Sequence, residues 1–315
     1  MDFEEYSYQP FEKQWLWTIT QRGIGRATAF CAALAASAAF ADGHYAPGVE
    51  GVQAASVPPP GLYYVGYVVN YGIDSFRAPG SRDKLPGNNS GTVSVLANRF
   101  VWISQTKLLG ADYGAEAIVP LQRTSLTVQA ANVADSRSGV ADIYLGPLVL
   151  GWHGPQWDAV AGAGVWLDNG STNDSASPGK GYKSLMLTGG GTWHFDAAKT
   201  LSLSALLRWE RHGRNDAGVR PGSQASLEWG LGKAIGGMPL VAGLVGYSQW
   251  QTSSDSGAGA ALQKAFKHAV GGELTWPAAP GLVFKGALYR EWRAQGGSSA
   301  QPQGTLARLT LIKAF

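Results

Sequence analysis

Charged residues spaced evenly about one turn are the sharpest chemical pattern in this sequence. If a hairpin turn is centred on Ala279, positions whose numbers add to 558 face each other, setting Glu273 against Lys285 and Lys267 against Glu291. Two opposite-charge pairs from one turn pin a register and put all four side chains on one face of a strand pair. A Lys at the middle of a bilayer costs roughly 2–4 kcal/mol, so in a membrane-spanning sheet this face must be the wet one. Such a ladder stiffens the wall and also lines it with charge that steers a polar solute.

Residue types that catalyse are placed less suggestively. His44, His153, His194, His212 and His268 show no metal-ligand spacing. No Gly-x-Ser-x-Gly elbow is present, and nothing matches the Ser, His and Asn that membrane phospholipases carry on their outer face. Gly189-Gly190-Gly191 falls inside a strand-like segment, where it marks a bend or close packing and not a phosphate cradle. The one cysteine, Cys31, lies in an apolar N-terminal stretch. The sequence therefore reads as a non-enzyme, with no catalytic, cofactor-binding or metal residue.

The elements that must position the charges repeat from residue 61 onward. Segments of ten to thirteen strand-like residues fall at 61–72, 93–105, 112–123, 140–152, 157–168, 183–195, 200–211, 223–234, 240–251, 266–276, 282–292 and 305–315. That length matches the roughly 9–11 residues a tilted strand needs to cross a bilayer. Connections alternate: short at 106–111, 153–156, 196–199, 235–239 and 277–281, longer and polar at 73–92, 124–139, 169–182, 212–222, 252–265 and 293–304. Short turns at one end and long loops at the other are the outer-membrane pattern. An even strand count puts both chain ends on the periplasmic side.

Side chains in a strand point alternately to opposite faces. Leu201, Leu203, Ala205, Leu207 and Trp209 alternate with Ser202, Ser204, Arg208, Glu210 and His212, broken only by Leu206. Ala225, Leu227, Trp229 and Leu231 alternate with Gln224, Ser226 and Glu228, and Glu116 lies opposite the Ala115–Ala117 face. The segments at 61–72, 93–105 and 240–251 alternate poorly. The expected lumen-lining residues are Glu116, Arg208, Glu210, Glu228, Lys267, Glu273, Lys285 and Glu291. Trp152, Trp157, Trp193, Phe195 and Trp276 near the short turns, and Trp166, Trp209, Trp250 and Trp292 near the long loops, read as two interfacial girdles.

Composition agrees. Among 315 residues only 15% are charged, against about 25% in soluble proteins, while 45% are hydrophobic and 43 are Gly. Residues 1–41 read as an export signal, with Arg22 and Arg26 before the apolar 27–40 stretch and Ala39-Phe40-Ala41 as the cleavage pattern. The mature chain, from Asp42, carries 22 basic and 18 acidic groups, too weak an excess to bind nucleic acid. Residues 42–60 are Pro-rich and lie either in the periplasm or in the lumen. The chain stops on a strand ending in Phe315, the mark read by the outer-membrane insertion machinery, although Lys313 breaks its apolar face.

His44-Tyr45-Ala46-Pro47-Gly48, Pro58-Pro59-Pro60-Gly61-Leu62-Tyr63, Asn70-Tyr71, Asp142-Ile143-Tyr144-Leu145-Gly146-Pro147 and Trp152 resemble the exported proteins described as involved in the meta-pathway of phenol degradation. The resemblance runs through nearly all of the mature chain. It implies an outer-membrane barrel for uptake of aromatic or other hydrophobic compounds, and it carries over no catalytic or binding residue. The reading is thus an all-β, transmembrane, antiparallel up-and-down β-barrel of about twelve strands over 61–315. Its expected role is passive transport in contact with outer-membrane lipid and lipopolysaccharide. A membrane-embedded hydrolase and a structural or adhesive barrel are the alternatives.

Overall fold

The computed structural model describes residues 43–257, 260 and 262–315. The expected export signal and the cleavage position before Asp42 lie outside the described residues. The strands are β1 Gly61–Arg77, β2 Asn89–Leu108, β3 Ala111–Val128, β4 Val133–Val140, β5 Tyr144–His153, β6 Trp157–Trp166, β7 Ser184–His194, β8 Leu201–His212, β9 Gln224–Ala234, β10 Val241–Gln251, β11 Phe266–Ala279, β12 Leu282–Gln295 and β13 Gln301–Ala314.

Apart from β4 and β5, which both pair with β3, chain neighbours pair antiparallel, and β1 pairs with both β2 and β13. The β1–β13 ladder therefore closes the sheet, and neither its first nor its last strand presents an unpaired edge to hydrocarbon. Twelve staves make the wall, because β4 and β5 together form one of them: β3 pairs with β5 through Asp112–Ile118 and with β4 through Leu121–Val128. The expected loop at 124–139 is instead a hairpin that extends β3, turns through Gln129–Ala131 and a left-handed Asn132, and returns as β4. Its Ser, Asp and Arg content reads as loop, but the ladder satisfies its backbone groups whatever the side chains are.

Alternation resolves into lipid and lumen faces. Leu288 on β12 is 58% exposed, whereas Glu291 on the same strand is 1% exposed. Val68, Leu121, Leu207, Leu244, Leu274 and Leu309 share the outer face. Trp157, Trp193, Phe195, Trp276 and Phe284 ring its short-turn end. His268 lies among Phe266, Trp250 and Trp292 near the other end, with ring centroids 5.4–5.8 Å away. Trp166 departs from the girdle. It is buried on the lumen side, 5.0 Å from Tyr144 and stacked 5.5 Å from His44. Trp166 is nine residues after the outward-facing Trp157, and an odd separation inverts the face.

The β11–β12 register also differs from the simple turn assumption. Glu273 is opposite Ala287, Lys285 opposite Thr275, and Glu291 opposite Ala269, a displacement of two residues with irregularities at His268/Ala269 and Pro277/Ala279. A two-residue slip preserves the face of every side chain. Both charge pairs consequently form along diagonals, Lys285 Nζ 3.5 Å from Glu273 Oε1 and Lys267 Nζ 3.1 Å from Glu291 Oε1.

The assignment of faces has a direct measurement. Leu288→Arg should lower the stability of the barrel in lipid vesicles by about 2–4 kcal/mol, read from guanidinium midpoints. Met238→Arg, in the turn between β9 and β10, should stay within about 0.5 kcal/mol of the parent. An unshifted midpoint for Leu288→Arg would remove Leu288 from the lipid face.

Candidate functional site

The segment before β1 runs through the lumen from end to end. Residue 60 joins β1 at the short-turn end, whereas Gly43 N donates to Gln224 Oε1 (2.8 Å) and His44 N to Glu210 Oε1 (3.1 Å) near the long loops. A segment without helix or strand needs other partners for its peptide groups once it leaves bulk water. The wall supplies them. Glu228 accepts from Glu50 N (3.1 Å) and from the Tyr45 hydroxyl, and Glu273 accepts from Val52 N (3.2 Å). Arg308 Nη1 donates to Gly48 O (3.1 Å), and Lys285 Nζ donates to Val52 O (2.8 Å) and Glu50 O (3.3 Å). Nearer the short turns, Ser56 Oγ donates to Asp158 Oδ2 at 2.9 Å and lies 3.1 Å from Thr192 Oγ1.

Two close approaches explain how the segment fits. Gly51 has φ +71° and packs against the Glu273 carboxylate, where a Cβ would fall 1.7 Å from Oε2. Val52 then seats over two wall glycines, since a Cβ on Gly232 or Gly243 would come within 2.4 Å of its methyl groups.

Glu50 is the electrostatic centre. Its Oε1 accepts from Arg99 Nη1 (3.1 Å) and Arg208 Nη2 (2.7 Å). Arg99 also reaches Glu116 Oε2 (2.5 Å) and the Tyr67 hydroxyl (3.1 Å), and Arg208 lies over the Tyr45 ring at 4.3 Å. Burial alone would raise the Glu50 carboxyl, but Arg99 and Arg208 outweigh it and bring it from 4.5 to about 2.

All eight lumen candidates from the sequence point inward. Arg208, Glu210, Glu228, Glu273 and Lys285 touch the segment directly, and Glu116 acts through Arg99. Lys267 and Glu291 belong to the wall: Glu291 accepts from Tyr71 (2.7 Å), Tyr247 (2.8 Å) and Gly304 N (2.8 Å), and Lys267 lies over the Tyr71 ring. Sequence reasoning missed Arg99, Arg308 and Glu50. Arg99 sits in a poorly alternating segment, Glu50 in a stretch with no period, and Arg308 on a strand read only for its outer face.

Two cavities flank this knot. One, of about 270 Å³, lies between residues 49–58 and the wall and is lined by Val65, Val101, Val149, Val160, Leu206 and Ile312. The other, of about 110 Å³, includes His44, Tyr45 and Trp166 toward the long loops. Val49, Glu50, Tyr67, Arg99 and Arg208 line both, so this layer is the septum between them. Arg208 Nε and Nη1 have no hydrogen-bond partner among the described residues.

The family model described as "Putative MetA-pathway of phenol degradation" matches residues 73–304. An outer membrane channel from Pseudomonas putida F1 superposes with a TM-score of 0.73 at 15% identity, covering 86% of this chain and all of that one. The β domain of the Bordetella autotransporter BrkA gives 0.47 at 12% identity, covering 82% and 100%. The CymD monoaromatic hydrocarbon channel gives 0.43 at 9% identity, covering 82% and 89%. No curated protein matches the sequence.

The Glu50 knot has a pH signature. A carboxyl whose pKa is depressed in the folded protein contributes fully above its ordinary value, and that contribution is lost as pH falls through the folded one. Glu50→Ala should cost about 3–5 kcal/mol at neutral pH by leaving two buried guanidinium groups short of a counter-charge. Measured by thermal unfolding in detergent, the difference from the parent should be constant above pH 4.5, narrow below it and disappear under about pH 2. A difference unchanged at the acid end would remove Glu50 as the anchor.

Proposed function

This chain belongs to the family described as "Putative MetA-pathway of phenol degradation", and from that premise we propose that it is a passive outer-membrane channel for small aromatic or otherwise hydrophobic compounds. The observation that carries the reading is the pair of cavities meeting at the Glu50, Arg99, Arg208 and Tyr67 layer. A monocyclic ring suits the apolar walls of the larger one. The unspent Arg208 donors suit a phenolic or carboxylate oxygen passing the septum.

In this reading residues 1–41 direct export and are removed, the outer face meets lipid and lipopolysaccharide, and Phe315, 78% exposed beyond β13, is presented to the insertion machinery. The channel is not an enzyme. One arrangement favours the hydrolase alternative: Ser184 Oγ is 2.9 Å from His44 Nδ1, and His44 Nε2 is 3.2 Å from Asp142. Yet Ser184 is 1% exposed and faces the lumen, away from any lipid that would be cleaved.

Planar-bilayer recording tests the channel. The parent should give small discrete steps, reduced by phenol or benzoate, and deletion of residues 43–58 should raise the step size several-fold. Silence from both proteins, each shown to be folded by heat-modifiable gel mobility, would end the transport reading. Release of fatty acid from phospholipid would put the hydrolase in its place.

A further inference from the structure

Histidine spacing along the chain shows no metal pattern, but the fold brings residue 44 across the lumen to β8. His44, Glu210 and His212 each offer one ligand atom, and the three atoms lie within 4.8 Å of one another. Glu210 and His212 are two apart on β8 and so share its inner face. We propose that these three residues form a divalent transition-metal site of the zinc class, tying the lumenal segment to the wall at the long-loop end.

The hydrogen-bond polarity around the cluster leaves the donors in the forms a metal requires. Asp142 accepts from the amides of Gly170 (2.8 Å, at Oδ1) and Lys180 (2.7 Å, at Oδ2), so both of its oxygens serve as acceptors. Toward His44 it accepts from Nε2–H at 3.2 Å, and in that tautomer Nδ1 carries the ring's lone pair. Ser184 Oγ lies 2.9 Å from that Nδ1 and 2.7 Å from His212 Nδ1. A hydroxyl has one proton to donate. Spent on His44, it requires His212 Nδ1 to be the donor in the second contact, and His212 Nε2 is left as a lone pair. That atom is buried and has no hydrogen-bond partner among the described residues.

Two neutral imidazoles and a carboxylate are a donor set that zinc takes. Asp142 behind His44 reproduces the carboxylate–histidine arrangement that orients a metal-bound ring, and stacking on Trp166 at 5.5 Å and 11° holds the ring plane. Bonds of about 2.0–2.2 Å require the ligand atoms to draw together by roughly 1 Å. His44, outside regular structure, can move that far, and the Ser184 bridge is then released. Unlike the channel reading, this proposal concerns binding alone and stands or falls without any conductance.

The test is calorimetric titration of Zn²⁺ into the tag-free protein, folded, purified in detergent from outer membranes and stripped with chelator. One saturable equivalent is expected. His44→Ala and His212→Ala should abolish it, Asp142→Asn should weaken it about 10–100-fold, and His268→Ala on the outer face should leave it unchanged. Co²⁺ should give the visible absorption of a tetrahedral nitrogen–oxygen site in the parent, a readout that does not depend on any variant folding. Absence of the one-equivalent site or of the Co²⁺ spectrum, or binding that survives both histidine replacements, overturns the proposal.

Discussion

Hydrocarbon offers no partner to a peptide N–H or C=O, so a sheet that crosses it must satisfy every such group within itself. The β1–β13 ladder is where this constraint is met. It joins the first and last strands from Tyr63↔Ala314 to Arg77↔Gln301 and converts an open meander into a closed wall. Much of the rest follows from closure. Two faces are created, one apolar and one enclosed, and polar side chains are acceptable only on the second. Strands longer than the bilayer needs, such as β2 with 20 residues, continue the pairing beyond it.

Closure creates a second problem, since a barrel of this size has an interior that must be filled or wet. Here a polypeptide segment fills much of it, and the inner wall supplies what helix or strand would otherwise provide. Glutamates accept its amides while Arg308 and Lys285 donate to its carbonyls. The wall charges are thus a template for one irregular segment of chain, which returns the Glu50 carboxylate and the Tyr45 ring to the wall's guanidinium groups. A buried charge set of this kind is poor evidence of net stability, because desolvation offsets much of the attraction. Its value lies in specifying one position for the segment. Val52 on Gly232 and Gly243 fixes the same position by shape.

Similarity to the Pseudomonas putida F1 channel at 15% identity shows the fold alone and leaves the solute to be argued from the lumen. The lumen is divided, with an aliphatic and charged lining in its larger chamber, a mostly apolar one in its smaller chamber, and Glu50, Arg99 and Arg208 at the waist between them. That division distinguishes this lumen from an open aqueous pore, in which a wide polar bore would be the rule.

What the sequence determined by itself was parity and period. Segment length, the alternation of short and long connections, and the two-residue repeat in 200–211 and 223–234 are local properties, and they sufficed for a twelve-stave barrel and for the inward direction of Glu273, Lys285, Lys267 and Glu291. Those pairs survived a two-residue error in register because parity is unchanged by an even slip. Tertiary structure decided everything that joins residues far apart in the chain. Nothing periodic connects Glu50 to Arg99 and Arg208, or His44 to Asp142 and Glu210, and only closure around the segment brings them within reach. Trp166 shows the boundary between the two: nearness to a strand end fixes a side chain's depth, but its count from a known outward residue fixes its face. The hairpin at β3–β4 lies beyond local reading for the same reason, since its polar side chains carry no core pattern and its ladder exists only once both strands stand together.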